Sequence, residues 1–111
     1  MPLLNINTIE LAKHLNTFLK NKKVIILFYM NNCGHCMELR PIWDKIIAKT
    51  LKTKDIYILE IEESFLQYIP KKYRVLGFPS ILAYNNGLNV KEFNDKRTIK
   101  NIEKFIIDYG L

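Results

Sequence analysis

The longest apolar run in the chain is Val24-Ile25-Ile26-Leu27-Phe28-Tyr29-Met30. It is short, β-branched and apolar at consecutive positions, which predicts a strand buried on both faces. Residues 55–61 alternate and predict a second buried strand. Residues 80–84 and 90–93 predict two more, joined through Asn85-Asn86-Gly87, a hairpin signal. Residues 3–6 predict a short edge strand. Between these lie helical patterns. Ile9, Leu11, Leu15, Phe18 and Leu19 form a stripe, with Asn7 and Glu10 as a capping box at its start. Residues 37–48 read as a helix that Pro41 should kink. Residues 63–73 read as another, limited by Pro70. Ile99, Ile102, Phe105, Ile106 and Ile107 mark a final amphipathic helix. The order βαβαβαββα implies parallel pairing between helix-separated strands and an antiparallel last hairpin. The expected fold is α/β, three layers with helices on both faces of a mixed sheet. No repeat, linker or composition break divides the chain, so one domain over 1–111 is expected.

Composition changes this picture little. The 111 residues are 49% hydrophobic and 25% charged, as in ordinary globular domains. The net charge is +6, but the lysines are scattered and form no nucleic-acid stripe. No apolar run reaches the ~20 residues a membrane span needs. The first residues lack a basic region followed by an apolar one, so no secretory leader is expected. A cytoplasmic monomer, with neither nucleic acid nor membrane as partner, is the expectation.

Candidate chemistry concentrates at Cys33-Gly34-His35-Cys36, directly after the apolar run and before a helix. These are the only cysteines in the chain. Their spacing allows a small disulfide ring to close and reopen. Cys33 at a helix N-terminus is placed to be a thiolate nucleophile, because free amides and the helix dipole favour an anion. His35 can stabilise that anion or be a solvent-exposed spacer. Cys36, one turn in, should be more buried and hold its proton longer. Two Cys and one His supply at most three metal ligands, a poor zinc site, although a cluster shared between two chains is conceivable. Met37 rather than His follows the second cysteine, which excludes a haem attachment motif. No organic cofactor and no metal are expected; the redox centre is the Cys33–Cys36 pair itself.

These residues resemble the thioredoxin superfamily, and within it a protein disulfide isomerase-type domain, across nearly the whole chain. Phe28-Tyr29, the Cys33–Cys36 motif, Pro41 and Trp43 fall at the family's spacing. Gly77-Phe78-Pro79-Ser80 resembles the segment that carries the family's cis-proline. The resemblance implies a thiol–disulfide oxidoreductase that oxidises or isomerises protein disulfides. Cys33, Cys36 and His35 would be catalytic, and Arg97 would tune the second cysteine or stand as plain surface charge. Phe78 and Pro79 would offer a backbone edge to an extended substrate, with Gly34 and Pro41 shaping the motif's backbone. Trp43, Tyr29 and Phe28 are expected to pack, and His14 to lie on a helix surface.

Three positions depart from the family. Leu27 stands where a buried acid is usual, and Glu60 or Glu62 is a candidate substitute. Asn32 stands for a usual Trp, and Met37 for a usual Lys. With no acid at residue 27, resolution by Cys36 is expected to be slow. A thioredoxin-like reductant is an alternative, as is a non-catalytic binding module. The missing leader favours a reducing compartment, whereas His35 favours oxidation. A large DNA virus oxidising its own proteins in host cytoplasm or virion would reconcile the two, by analogy. Partners would be proteins bearing thiols or disulfides and an unidentified recycling partner.

Overall fold

The computed structural model describes residues 3–50, 52 and 55–111. Met1 and Pro2, part of the leader reading, lie outside them. Five strands form one mixed sheet in the order β1-β3-β2-β4-β5. They are β1 (Leu3–Ile6), β2 (Lys23–Tyr29), β3 (Tyr57–Glu62), β4 (Ser80–Asn85) and β5 (Leu88–Glu92). β3 runs parallel to both β1 and β2, whereas β4 is antiparallel to β2 and to β5.

Strand β2 occupies the centre, and its residues alternate between two cores. Val24, Ile26 and Phe28 face a cluster with α1 (Ile9–Lys13) and α2 (Leu15–Leu19). Ile25 and Leu27 face a second cluster with α3 (Gly34–Thr50) and α4 (Ile99–Gly110). The unbroken apolar run is thus two alternating faces, each covered by helices. In α3 the buried residues Cys36, Leu39, Trp43, Ile46, Ile47 and Thr50 form one stripe. Gly110 lets α4 approach the sheet closely: a Cβ there would come within 3.3 Å of Ile25. In the β4–β5 turn, Asn86 and Gly87 both have positive φ, the backbone a tight hairpin turn requires.

Three expectations need correction. The N-terminal helix is capped by Thr8, not Asn7: the Thr8 hydroxyl accepts from the Leu11 N–H at 3.1 Å. That helix also breaks at His14, whose Nδ1 lies 2.8 Å from the Glu10 carbonyl, while its own N–H turns to Leu11. The imidazole thereby takes the acceptor that the helix would have given to the His14 amide. Residues 63–73 are not an α-helix but two 3-10 helices, Glu63–Tyr68 and Lys71–Tyr73. Pro70 has no N–H to donate, and Arg74 donates to the carbonyls of Gln67 and Ile69, the acceptors a continuous helix would use.

Candidate active site

Strand β2 delivers the chain to a two-residue turn and then to the cysteines. Asn32 in that turn has φ 60°, a left-handed conformation that Asn adopts more readily than bulky residues. α3 starts at Gly34, and the Met37 N–H donates to the Cys33 carbonyl at 2.9 Å. The Cys33 sulfur accepts the Cys36 N–H at 3.3 Å. It therefore stands where an N-cap oxygen would, collecting an otherwise unpaired amide of the first turn. A Cβ at Gly34 would meet nothing within 4 Å, so close packing does not require glycine there.

The two thiols differ in surroundings. Cys33 is held below the ordinary thiol range. The largest cause is the hydrogen bond from Cys36. Burial opposes it, and the amides of Cys36 and His35 and the charge of Arg97 add to it. Cys36 is pushed up, first by burial and then by its hydrogen bond with Cys33, while the Met30 backbone and Arg97 pull the other way. One thiol is thus poised as a nucleophile and the other keeps its proton.

The Phe78–Pro79 bond is cis, and the Phe78 carbonyl lies 3.9 Å from the Cys33 sulfur, within reach of the thiol as donor. The Phe78 ring itself packs toward the core on the α1 side. Pro79, His35 and Arg97 line one groove of about 460 Å³, floored by Leu39, Ile42, Ile81 and Phe93. His35 is exposed and pairs with Glu38 at 3.7 Å. Pro41 does not join this assembly; it sits exposed within α3, which runs on through it.

Behind Cys36 the structure places residues that sequence reasoning had only partly singled out. Glu60 is Leu27's neighbour across β2–β3, on the face toward α3, and is 6% exposed. Its Oε1 accepts from Arg40 Nη1 at 2.8 Å and its Oε2 from Trp43 Nε1 at 3.1 Å. Trp43 packs, but its indole also donates a bond. Glu62 instead caps the following turn through the Ser64 amide. Burial works against the Arg40 charge, yet Glu60 and Asp44 outweigh it and hold the guanidinium more firmly protonated. Arg40 also stacks over Tyr29, 4.9 Å from the ring centroid, so Tyr29, half-buried and packed against the core on the α3 side, also carries a cation on its ring. The spacing Cys36-Arg40-Asp44, one helical face at four-residue steps, is the signal that could have identified Arg40.

Among the described residues, no cluster of three or more His, Cys, Asp and Glu side chains is arranged to hold a metal ion. No helix there is long and apolar enough to cross a membrane.

The family model described as "Thioredoxin" matches residues 5–108. Protein disulfide-isomerase of Gallus gallus is 31% identical over 95 residues, covering 84% of this chain and 18% of the relative. Protein disulfide-isomerase of Drosophila melanogaster is 32% identical over 88 residues, covering 78% of this chain and 17% of the relative. The chain thus spans under a fifth of these curated relatives. Among solved structures, the first thioredoxin domain of mouse protein disulfide-isomerase A4 superposes with a TM-score of 0.70 at 28% identity, covering 96% of this chain and 72% of that one. Reduced thioredoxin pre-protein of Schistosoma mansoni gives 0.72 at 22% identity, covering 98% and 99%, which is a likeness of fold.

Proposed function

The chain belongs to the thioredoxin family, and from that premise we propose that it is a thiol–disulfide oxidoreductase acting on protein disulfides, with oxidising or isomerising character. The observation that carries this reading is the placement of two cysteines in one helical turn, with the Cys33 sulfur accepting the Cys36 N–H at 3.3 Å beside the cis Phe78–Pro79 bond; the lowered Cys33 and raised Cys36 agree with it. The Cys33 thiolate attacks a substrate disulfide; that S–S bond breaks and one substrate thiolate leaves. Cys36 then loses its proton and attacks the Cys33 sulfur of the mixed disulfide. The Cys33–Cys36 bond forms and the second substrate thiolate departs. Run backwards, the same steps oxidise a substrate dithiol. Stabilising the Cys33 thiolate favours the reduced form, which makes the disulfide form a stronger oxidant.

Replacing Cys36 with Ser tests the reading. The variant should accumulate protein adducts through Cys33, released by reductant and seen by mass. Partners retained without a thiol adduct would instead mark a binding module. The potential of the wild-type pair, measured in graded glutathione buffers, then sets the direction. A value near the isomerase's, about −180 mV, supports oxidation or isomerisation, and one near thioredoxin's, about −270 mV, overturns that in favour of a reductant.

A further inference from the structure

Cys36 opens onto a hollow of about 150 Å³ that adjoins the groove with Arg97, the two sharing Leu39 and Pro79 as walls. That is room for roughly five waters at ~30 Å³ each. Leu27, Tyr29, Cys36, Met37, Arg40 and Pro79 are among its walls, and Cys33 is not. Among the described residues, Arg40 is the one permanently charged side chain lining it. The guanidinium is fixed from three directions: Glu60 at 2.8 Å, Asp44 at 3.3 Å and the Tyr29 ring. Both ion pairs use Nη1; Nε and Nη2 have no protein acceptor among the described residues. An arginine so held keeps donors free for an anion or for water.

We propose that Arg40 is a positioning residue for the resolving step, stabilising through water in this hollow the negative charge that appears on the Cys36 sulfur. The proposal rests on the oxidoreductase reading above. When Cys36 attacks, its proton passes to a water of the hollow and out to solvent. The sulfur's electron pair forms the bond to Cys33, and the Cys33–substrate bond breaks with departure of a thiolate. Glu60 does not take the proton in this scheme. Its two oxygens are occupied by Arg40 and Trp43, and it does not line the hollow; its work is to hold Arg40 in place.

Other charged or titratable groups surround the pair. Cys33 immediately precedes α3, His35 and Glu38 lie on its first turns, and Asp44 lies further along it. Tyr29 comes from β2, Glu60 from β3, and Arg97 from the segment before α4. Arg97 bears on both thiols. Arg40 borders a space reached by Cys36 alone, so its effect should be selective.

The test titrates each thiolate by its absorbance near 240 nm, Cys36 in a Cys33→Ser background and Cys33 in a Cys36→Ser background. Arg40→Met should move the Cys36 midpoint up and leave Cys33 in place, with Arg40→Lys restoring part of the shift. Release of thionitrobenzoate from a preformed Cys33 adduct should slow about tenfold at pH 7, the scale of one lost charge-assisted hydrogen bond. Arg40→Met leaves the Glu60 charge buried without its cation, so the deciding comparison is Arg40→Met with Glu60→Gln against Glu60→Gln alone. The double change removes both charges, the glutamine oxygen still accepts from Trp43, and the comparison isolates the loss of the Arg40 charge. A Cys36 midpoint that does not differ between these two folded variants, or a Cys33 midpoint moving equally, overturns the proposal. Neither readout needs a protein substrate, so failure here is distinct from failure of the oxidoreductase reading.

Discussion

Trp43→Phe and Glu60→Gln should each destabilise the fold, and together they should cost less than the sum. The Glu60 carboxylate meets an N–H donor on each oxygen, Arg40 at 2.8 Å and Trp43 at 3.1 Å. A glutamine keeps one oxygen and turns the other into an NH2, so one donor then faces a donor. An unsatisfied buried donor costs about 1–3 kcal/mol. The weakened attraction to Arg40 adds less, because that side chain is 34% exposed and solvent screens it. We expect about 2–3 kcal/mol for Glu60→Gln. Trp43 is fully buried, and Trp43→Phe loses a hydrogen bond to a charged group, about 1.5–3 kcal/mol. The smaller ring leaves a cavity worth about 1 kcal/mol more. In the double variant, the introduced glutamine can aim its oxygen at Arg40 and its NH2 at the space the indole N–H vacated. The donor conflict disappears, so the pair should couple by about 1–2 kcal/mol. Urea unfolding of all four proteins measures this. Trp43 is the sole tryptophan, so far-UV circular dichroism must replace fluorescence. Costs that add to within about 0.5 kcal/mol would refute the shared-carboxylate reasoning.

Two further outcomes follow from the site. Leu27→Glu puts a carboxyl on the wall of the hollow beside Cys36. It should speed resolution of a Cys33 adduct while costing more stability than the about 2 kcal/mol of lost apolar burial, because the new carboxyl is also buried opposite Glu60; a rate unchanged or lower in stopped-flow would show that solvent already accepts the proton fast enough. Arg97→Gln removes a charge that lowers both thiols, so both pKa values should rise. The thiolate fraction at pH 7 then falls and alkylation of Cys33 should slow a few-fold, the difference vanishing at a pH above both pKa values; a shift confined to one thiol would contradict the placement of Arg97.

Much of this was legible in the sequence, for identifiable reasons. The run at 24–30 exceeds what a half-buried strand carries, and the Asn86-Gly87 turn has few alternatives once strands flank it. The thiol pair announced itself because no other cysteine competes. What escaped was decided by side chains acting on distant or backbone partners. His14 reads as a polar helix residue, yet its ring competes with its own amide for one carbonyl. Residues 63–73 carry enough Phe, Leu, Tyr and Ile to suggest a helix, but Arg74 and Pro70 disable its hydrogen bonds. Glu60 sits in an alternating strand and could be named as a candidate acid. Its pairing needed the β2–β3 register and the face of α3, neither of which one strand's pattern supplies.

The departures from the family pattern are not scattered. Leu27, Asn32 and Met37 come from a strand, a turn and a helix, and all three line the hollow behind Cys36. The groove that holds His35, Pro79 and Arg97 contains none of them. The environment of Cys33 is made largely by hydrogen bonding within one turn, from Cys36 and from two backbone amides, and substitution at those three positions leaves it whole. Cys36 is burdened by burial and relieved by the Met30 backbone and Arg97, and it borders the hollow that these three positions line. On the proposed mechanism, changes in those walls fall on the second step of exchange rather than the first. In this chain the apolar wall at Leu27 comes with a carboxylate on the adjacent strand, and that carboxylate anchors a cation from α3. The charge is thus supplied from the helix rather than from the central strand. A mixed disulfide that resolves slowly has longer to be attacked by a second substrate thiol, so on the proposed mechanism the walls of this hollow bear on whether the substrate leaves reduced, expelled by Cys36, or with a new disulfide made by another of its own cysteines.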